Sequence, residues 1–303
     1  MTNQDFTPRE TADGSKTFFS EEFNESFHSH FGAKQESYFK YVVPTLLIEK
    51  RYSKVLRLLD VCYGLGYNTA TAIEKIWQVN PKCYIEVIAL ELNPKVPQAA
   101  IEHQLFENWN ANLIDNLTKL AFEHRVQTEF LKATLVIGDA RDKINQVYQS
   151  GFKADAIFLD PFSPPQCPHL WTIEFLQLVS QCLQVDGLLA TYSCAAAVRT
   201  ALLNAQLSIA STSPVGRKAP GTVAGFNPSS DANTEIDLDS PLHLLPPLSQ
   251  SEKEHLQTRA AVPYRDPKLI DSPEAIIKRR KLEQQASDLE PTSRWRKRWF
   301  LVN

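Results

Sequence analysis

Two glycines stand close behind an acid in Asp60-Val-Cys-Tyr-Gly64-Leu-Gly66-Tyr-Asn68. The chain has only 10 glycines, so a close pair marks a backbone that turns sharply or approaches a ligand. An apolar run, Val55–Val61, precedes the pair and reads as a buried strand; a helical stretch follows. A complete G-x-G-x-x-G would suggest a dinucleotide with its pyrophosphate on the helix N-terminus. Here Thr69 holds the third glycine position, and an acid just ahead of the glycines suits a phosphate poorly. It suits a cationic amino-acid end, as in S-adenosylmethionine (SAM). Taken alone, Gly-x-Gly is equally an ordinary strand-to-helix turn.

Three more acids end successive apolar runs: Glu91, Asp139 and Asp160. Glu91 follows Gly66 by 25 residues, where an acid accepts from both ribose hydroxyls. Asp139 is placed to accept from an adenine amino group, and Asp160 lies nearest the transfer point. Each acid by itself is also a plausible loop carboxylate or helix cap; four in register are harder to dismiss. Asp160-Pro-Phe162-Ser-Pro-Pro sets a carboxylate, held extended by the following proline, beside an aromatic wall. That pairing suits an amine nucleophile on a planar base, with Phe162 stacking on the base. His28 and His30 are two apart, but no cysteine or carboxylate cluster completes a metal site.

Positioning these residues takes alternating elements. Strands are expected at 55–61, 84–90, 133–137, 154–159, 187–192 and 206–210. Helices are expected at 68–78, at 95–125 with a break near 108–112, and at 141–150, 170–184 and 195–205. This is the β-α-β pattern of a mostly parallel α/β sheet with helices on both faces, which binds ligands at the carboxyl ends of its strands. Upstream, Asp13-Gly14-Ser15 reads as a turn between short strands, and 33–52 as a helix disturbed by Pro44. Residues 228–251 hold four prolines, four acids and no Lys or Arg, and read as a loop or flexible insert. The divisions expected are an N-terminal extension over 1–52 packing on the cofactor site, a core over 53–227, an insert over 228–260 and a basic, aromatic segment over 261–303.

Composition narrows the classes. The net charge of −3 excludes a bulk polycation, so nucleic-acid contact needs a local basic patch. Arg217-Lys218 and Arg294, Arg296, Lys297 and Arg298 supply candidates. The tryptophans beside the second cluster read as core, with Trp-Phe-Leu-Val as a last buried strand. Five cysteines without a C-x-x-C pair argue against a disulfide framework or a zinc site. With neither an apolar span nor a secretory leader, the expectation is a cytoplasmic protein without metal.

The motifs TADGSKTFFS, Glu25-Ser-Phe-His-Ser29 with Gly32-Ala33, DVCYGLGYNT, DPFSPPQCPHLWT and PYRDP…LEPTSRWRKRWFLV resemble the MnmC-type tRNA-uridine methyltransferases over roughly 8–225 and 262–303. The resemblance implies a Rossmann-like SAM-dependent methyltransferase fold. It also implies N-methylation of 5-aminomethyl(-2-thio)uridine at the tRNA wobble position, giving 5-methylaminomethyl(-2-thio)uridine. The FAD-dependent oxidase often fused to this domain has no counterpart in 303 residues, so a separate enzyme is expected to supply the free amine. Carried over by position, Asp60, Gly64, Gly66 and Asn68 fall in the SAM loop. Glu91 matches the ribose acid, Asp139 with Ala140 the adenine side, and Asp160 the active-site aspartate. Glu25, Ser29 and Gly32 are expected to line the cofactor pocket from the extension. Two rival readings stay open: another SAM-fold amine transferase (aminopropyl- or small-molecule N-methyl-), or a non-catalytic tRNA-binding module.

Overall fold

The computed structural model describes residues 6–216, 219–227, 238 and 240–300. Two short antiparallel ribbons open the chain: β1 (Arg9–Glu10) with β2 (Lys16–Thr17), and β3 (Phe19–Ser20) with β4 (Glu25–Ser26). Asp13 shapes the first turn, accepting from the Ser15 N–H at 2.9 Å. Helix α1 (Ala33–Ser37) runs into a π-helical turn over Tyr38–Val42.

The alternating core follows as β5 (Val55–Val61), α2 (Tyr67–Val79), β6 (Tyr84–Glu91), α3 (Lys95–Glu102), α4 (Ala111–Glu123), β7 (Arg125–Gln127), β8 (Leu131–Ile137), α5 (Ala140–Gln149) and β9 (Ala154–Leu159). It continues with a 3-10 turn at Pro168–Trp171, then α6 (Ile173–Gln181), β10 (Leu183–Thr191), α7 (Ala196–Asn204), β11 (Ser208–Ser211) and β12 (Thr222–Gly225). The C-terminal part adds α8 (Gln250–His255), α9 (Pro273–Ala286) and α10 (Thr292–Phe300).

One eight-stranded sheet runs β11-β12-β10-β9-β5-β6-β8-β7. The five central strands, β10 to β8 in that order, pair in parallel, and the flanking pairings are antiparallel. The central strands are mostly apolar because both faces are covered. In β5, Leu56 and Leu58 enter the core on one face, while Leu59 and Val61 enter the core on the other. The chain leaves β5 toward β6 and β8, then returns to β9 on the opposite side. The switch point therefore lies between β5 and β9, where a crevice opens beyond the strand ends.

Two expectations need correction, and one strand carries no local signal: β12, Thr-Val-Ala-Gly, shows no alternation, and only pairing with β10 and β11 makes it a strand. Of the Trp-Phe-Leu-Val tail, Leu301 and Val302 lie outside the described residues, and Trp299 and Phe300 are helical rather than part of a buried strand. Trp299 and Phe300 belong to α10, 38% and 66% exposed, while Trp295 is buried and stacks on His255 at 3.9 Å. The stretch 228–260 is not a uniform flexible insert. Residues 228–237 and 239 lie outside the described residues, but α8 carries a full Ser249–Glu252 capping box, and Glu252 pairs with buried Arg199 at 2.7 Å.

Candidate active site

A cavity of about 470 Å³ opens at the carboxyl ends of β5, β6 and β9. Glu91 closes β6 and is buried there. One of its oxygens accepts the Gly64 N–H at 2.8 Å, the other the Asn93 N–H at 2.9 Å. Burial pushes its carboxyl upward, against the backbone donors of Asn93 and Gly64. The glycines behave as their spacing suggests. Gly64 (φ 56°) and Gly66 (φ 91°) are left-handed, and Gly66 starts α2. A side-chain carbon on Gly66 would meet the Tyr63 ring at 2.6–3.0 Å.

Asp160 follows β9 directly and lines the same cavity. Its carboxylate accepts from Asn68 Nδ2 at 2.8 Å. The Tyr41 hydroxyl faces it without reaching full hydrogen-bond geometry and is otherwise buried without a partner. Burial pushes the Asp160 carboxyl up to about 7, opposed by the polar groups of Tyr41 and Asn68. The Pro161 carbonyl accepts from Tyr192 Oη at 3.0 Å and the Phe162 carbonyl from Trp171 Nε1 at 2.8 Å. The Asp-Pro-Phe backbone is thereby fixed, and the carboxylate with it.

The N-terminal extension forms the opposite wall. Glu25 accepts from the Ser163 N–H at 2.9 Å and from the Ser163 hydroxyl. Phe23 stacks on Phe162 at 4.4 Å, and Phe27 meets it edge-on at 5.2 Å. One face of Phe162 is thus already covered by Phe23. Ser29 donates through its hydroxyl to Glu36, which pairs with Lys40 at 3.0 Å.

The structure brings Glu25, Ser29, Gly64, Asn68, Glu91, Asp160 and Phe162 to this cavity. Other candidates stand back from its lining. Asp60 lies inside β5, opposite Ala89 and Phe158, so its carboxylate is wholly buried and accepts from Thr69 Oγ1 at 2.6 Å. Asp139 caps α5, accepting from the Arg141 N–H at 2.9 Å and from the Arg141 guanidinium at 2.8 Å. Burial works against its ionisation, but those Arg141 contacts hold its carboxyl below the usual range. Ala140 is the first residue of α5 and is buried. Gly32 starts α1 at φ 142°, pressed against Asp13. Gly66 acts as a helix start behind the cavity wall.

Arg217 and Lys218 lie outside the described residues. Arg294, Arg296 and Lys297 are exposed on α10. Arg298 is spoken for, bound to Glu254 and Glu290 at 2.8 Å each. Residues overlooked in the sequence include Glu36, Lys40, Tyr41, His169 and Tyr192, all on the cavity. The i, i+4 spacing of Glu36 and Lys40 was the available clue. Among the described residues no group of three His, Cys, Asp or Glu can hold a metal, and no helix is long and apolar enough to cross a membrane.

SAM fits this constellation: a left-handed glycine turn gives a close backbone approach, a buried acid ends the neighbouring strand, and orphaned polar atoms on Tyr41 and Asn68 sit in the wall. Residues 102–227 match a family described as S-adenosyl-L-methionine-dependent methyltransferase. The crystal structure of MNMC2 from Aquifex aeolicus shares the fold at a TM-score of 0.76, with 33% identity covering 94% of this chain and 88% of that one. An uncharacterized protein of Methanocaldococcus jannaschii is 29% identical, across 89% of this chain and 70% of the relative. The tRNA 5-methylaminomethyl-2-thiouridine biosynthesis bifunctional protein MnmC of Azoarcus sp. is 29% identical over 215 residues. That match takes in 68% of this chain but only 32% of the bifunctional protein, so the chain spans about a third of such relatives. The glycine turn, the acids at the strand ends and the agreement with MNMC2 over nearly the whole chain place this SAM-dependent methyltransferase in the MnmC methyltransferase-domain family.

Proposed function

We propose that the chain methylates the amine of 5-aminomethyl(-2-thio)uridine at the tRNA wobble position, giving 5-methylaminomethyl(-2-thio)uridine. The observation that carries this reading is the half-buried Asp160 carboxylate, held by Asn68 on the wall of a cavity that Glu91 also lines. The names of the bifunctional relatives support the tRNA substrate. On this reading the enzyme works in the cytoplasm, and a separate amine-forming enzyme supplies the aminomethyl precursor. The described part of the N-terminal extension, residues 6–52, forms the wall over the cofactor, and Arg294, Arg296 and Lys297 track RNA phosphates.

Bound SAM supplies an electrophilic methyl group. Glu91 holds the ribose hydroxyls, and the turn at Gly64 lets the backbone come close. Asp160 accepts an N–H from the substrate amine and aims its lone pair. An alkylamine has a pKa near ~10, and only its neutral form attacks; a dry site beside a sulfonium lowers that value. The negative charge of Asp160 pulls the other way, so its work is orientation, with the proton leaving to water. In-line positioning of this kind contributes about 7–11 kcal/mol in good cases. A wobble base reaches such a cavity only from a single-stranded loop, splayed out of its stack.

The test is incubation with labelled SAM and tRNA carrying the aminomethyl group, followed by nucleoside mass spectrometry. The expected product is the methylaminomethyl nucleoside at the wobble position. Label transfer to free polyamines but not to tRNA would overturn the reading.

A further inference from the structure

We propose that Lys40 selects the base of the substrate by donating a hydrogen bond to the C4 carbonyl oxygen of the uracil ring. The inference rests on the substrate reading above and goes on to the atom that distinguishes uracil from cytosine.

Lys40 sits on the π-helical turn, one residue before Tyr41, and lines the cavity with its side chain only 11% exposed. An ammonium carries three donors and no acceptor. Among the described residues it pairs with one group, Glu36, at 3.0 Å. Glu36 is itself fixed, since the Ser29 hydroxyl also donates to it. The pair is therefore held in place, with N–H groups left over toward the cavity. Leaving such donors unpaired in a dry site is costly, and a ligand acceptor removes that cost.

Lys40, Glu36 and Asp160 all line this cavity, so a donor and an acceptor are presented to the same ligand. The edge of a 5-aminomethyluracil presents the complementary pair: an acceptor at C4 next to the carbon that carries the amine. Asp160 takes an amine N–H, and Lys40 gives to O4. Cytosine has an amino group at C4, so two donors would face each other. A site built to hydrogen-bond one group rejects an analogue that cannot answer it far more strongly than a shape difference does. The C2 position lies across the ring, so oxygen or sulfur there should matter little to Lys40.

The experiment compares methyl transfer to two anticodon stem-loop RNAs, identical except for 5-aminomethyluridine or 5-aminomethylcytidine at the wobble position. Wild type, Lys40→Met and Lys40→Arg are assayed as full chains, with SAM affinity measured by calorimetry. Wild type should prefer the uridine RNA by about 10²-fold or more in kcat/KM. Lys40→Met should lose most of that preference through the uridine substrate alone, and Lys40→Arg should keep it. Equal losses on both RNAs in Lys40→Met would mean that Lys40 only supports Glu36, and would overturn the proposal. Should Lys40→Met fail to bind SAM, wild type alone decides. 5-Aminomethyl-4-thiouridine RNA, whose sulfur is a weak acceptor, should react at least several-fold more slowly than the 4-oxo RNA, and equal rates would overturn the proposal. Wild type that binds SAM yet methylates neither stem-loop would sink the substrate reading itself, a result distinct from an active enzyme without base preference.

Discussion

The Glu25 carboxylate binds both the backbone N–H and the hydroxyl of Ser163, joining residues 138 apart in sequence. This contact ties the β3–β4 ribbon to the loop that carries Asp160, so two walls of the cavity are joined into one unit. Hydrogen bonds to a charged acceptor contribute about 1.5–3 kcal/mol each. Glu25→Ala should therefore loosen the ribbon, raise amide hydrogen exchange over residues 19–29 and weaken SAM binding about tenfold. Glu25→Gln, which keeps one acceptor oxygen, should lose less. Unchanged exchange in the alanine variant would show that the phenylalanine packing alone holds the ribbon.

Asp160→Ala and Asp160→Asn should keep SAM affinity within a few-fold and lose about 10² or more in turnover. Burial, opposed by Tyr41 and Asn68, sets the wild-type carboxyl at about 7. The wild-type kcat/KM should rise through that pH as the carboxylate forms, and the asparagine variant should lack this limb. Wild-type turnover in either variant would remove Asp160 from the mechanism.

Asp60 makes stability depend on pH. Burial pushes its carboxyl from 3.8 up to about 7, against the Thr69 hydrogen bond. Between these values the folded chain holds a proton that the unfolded chain has released. The resulting stabilisation is complete below about pH 4 and is lost as the pH rises through 7. Asp60→Asn carries no charge, so its stability relative to wild type should improve from pH 5 to pH 8. Urea midpoints at the two pH values test this, and a constant difference would contradict it.

Arg199 is buried and donates to Thr222 Oγ1 at 2.9 Å, the Gly221 carbonyl at 3.2 Å and Glu252 at 2.7 Å. Glu252→Ala leaves that guanidinium without its counter-charge. Removing one partner of a buried pair costs about 3–5 kcal/mol, which should appear as a lower denaturation midpoint with unchanged SAM affinity per folded molecule. A midpoint at the wild-type value would mean that α8 is not coupled to the core.

Arg294, Arg296 and Lys297 are exposed, whereas Arg298 is held by two glutamates. If the first three contact phosphates, tRNA affinity falls steeply with salt. The triple alanine variant should flatten the log–log slope by about 0.7 per lost contact to single-stranded RNA. Arg298→Ala should change the slope less. Equal slopes for wild type and the triple variant would place the RNA surface elsewhere.

The strand ends show how far local pattern reaches. Val55–Val61 and Ala154–Leu159 fold with the limits read from their apolar runs, and Gly64, Glu91 and Asp160 fall at the cavity as their positions after those runs suggest. Asp60 and Asp139 have the same kind of address yet stand outside the lining. Asp60 sits one residue before its strand ends, and the side-chain period of two turns it inward. Asp139 has Arg141 and a helix N-terminus to satisfy it.

The sequence alone determined the alternation of elements, the glycine turn and the acids of the catalytic rim, because these depend on local periodicity and backbone freedom. It also carried the motifs that mark the family. The tertiary structure alone decided that Glu25 meets Ser163, that Phe162 is covered by Phe23, and that Glu36, Lys40 and Tyr41 share a cavity with Asp160. Those contacts join segments more than a hundred residues apart, and no local spacing encodes which surfaces meet once the core has closed.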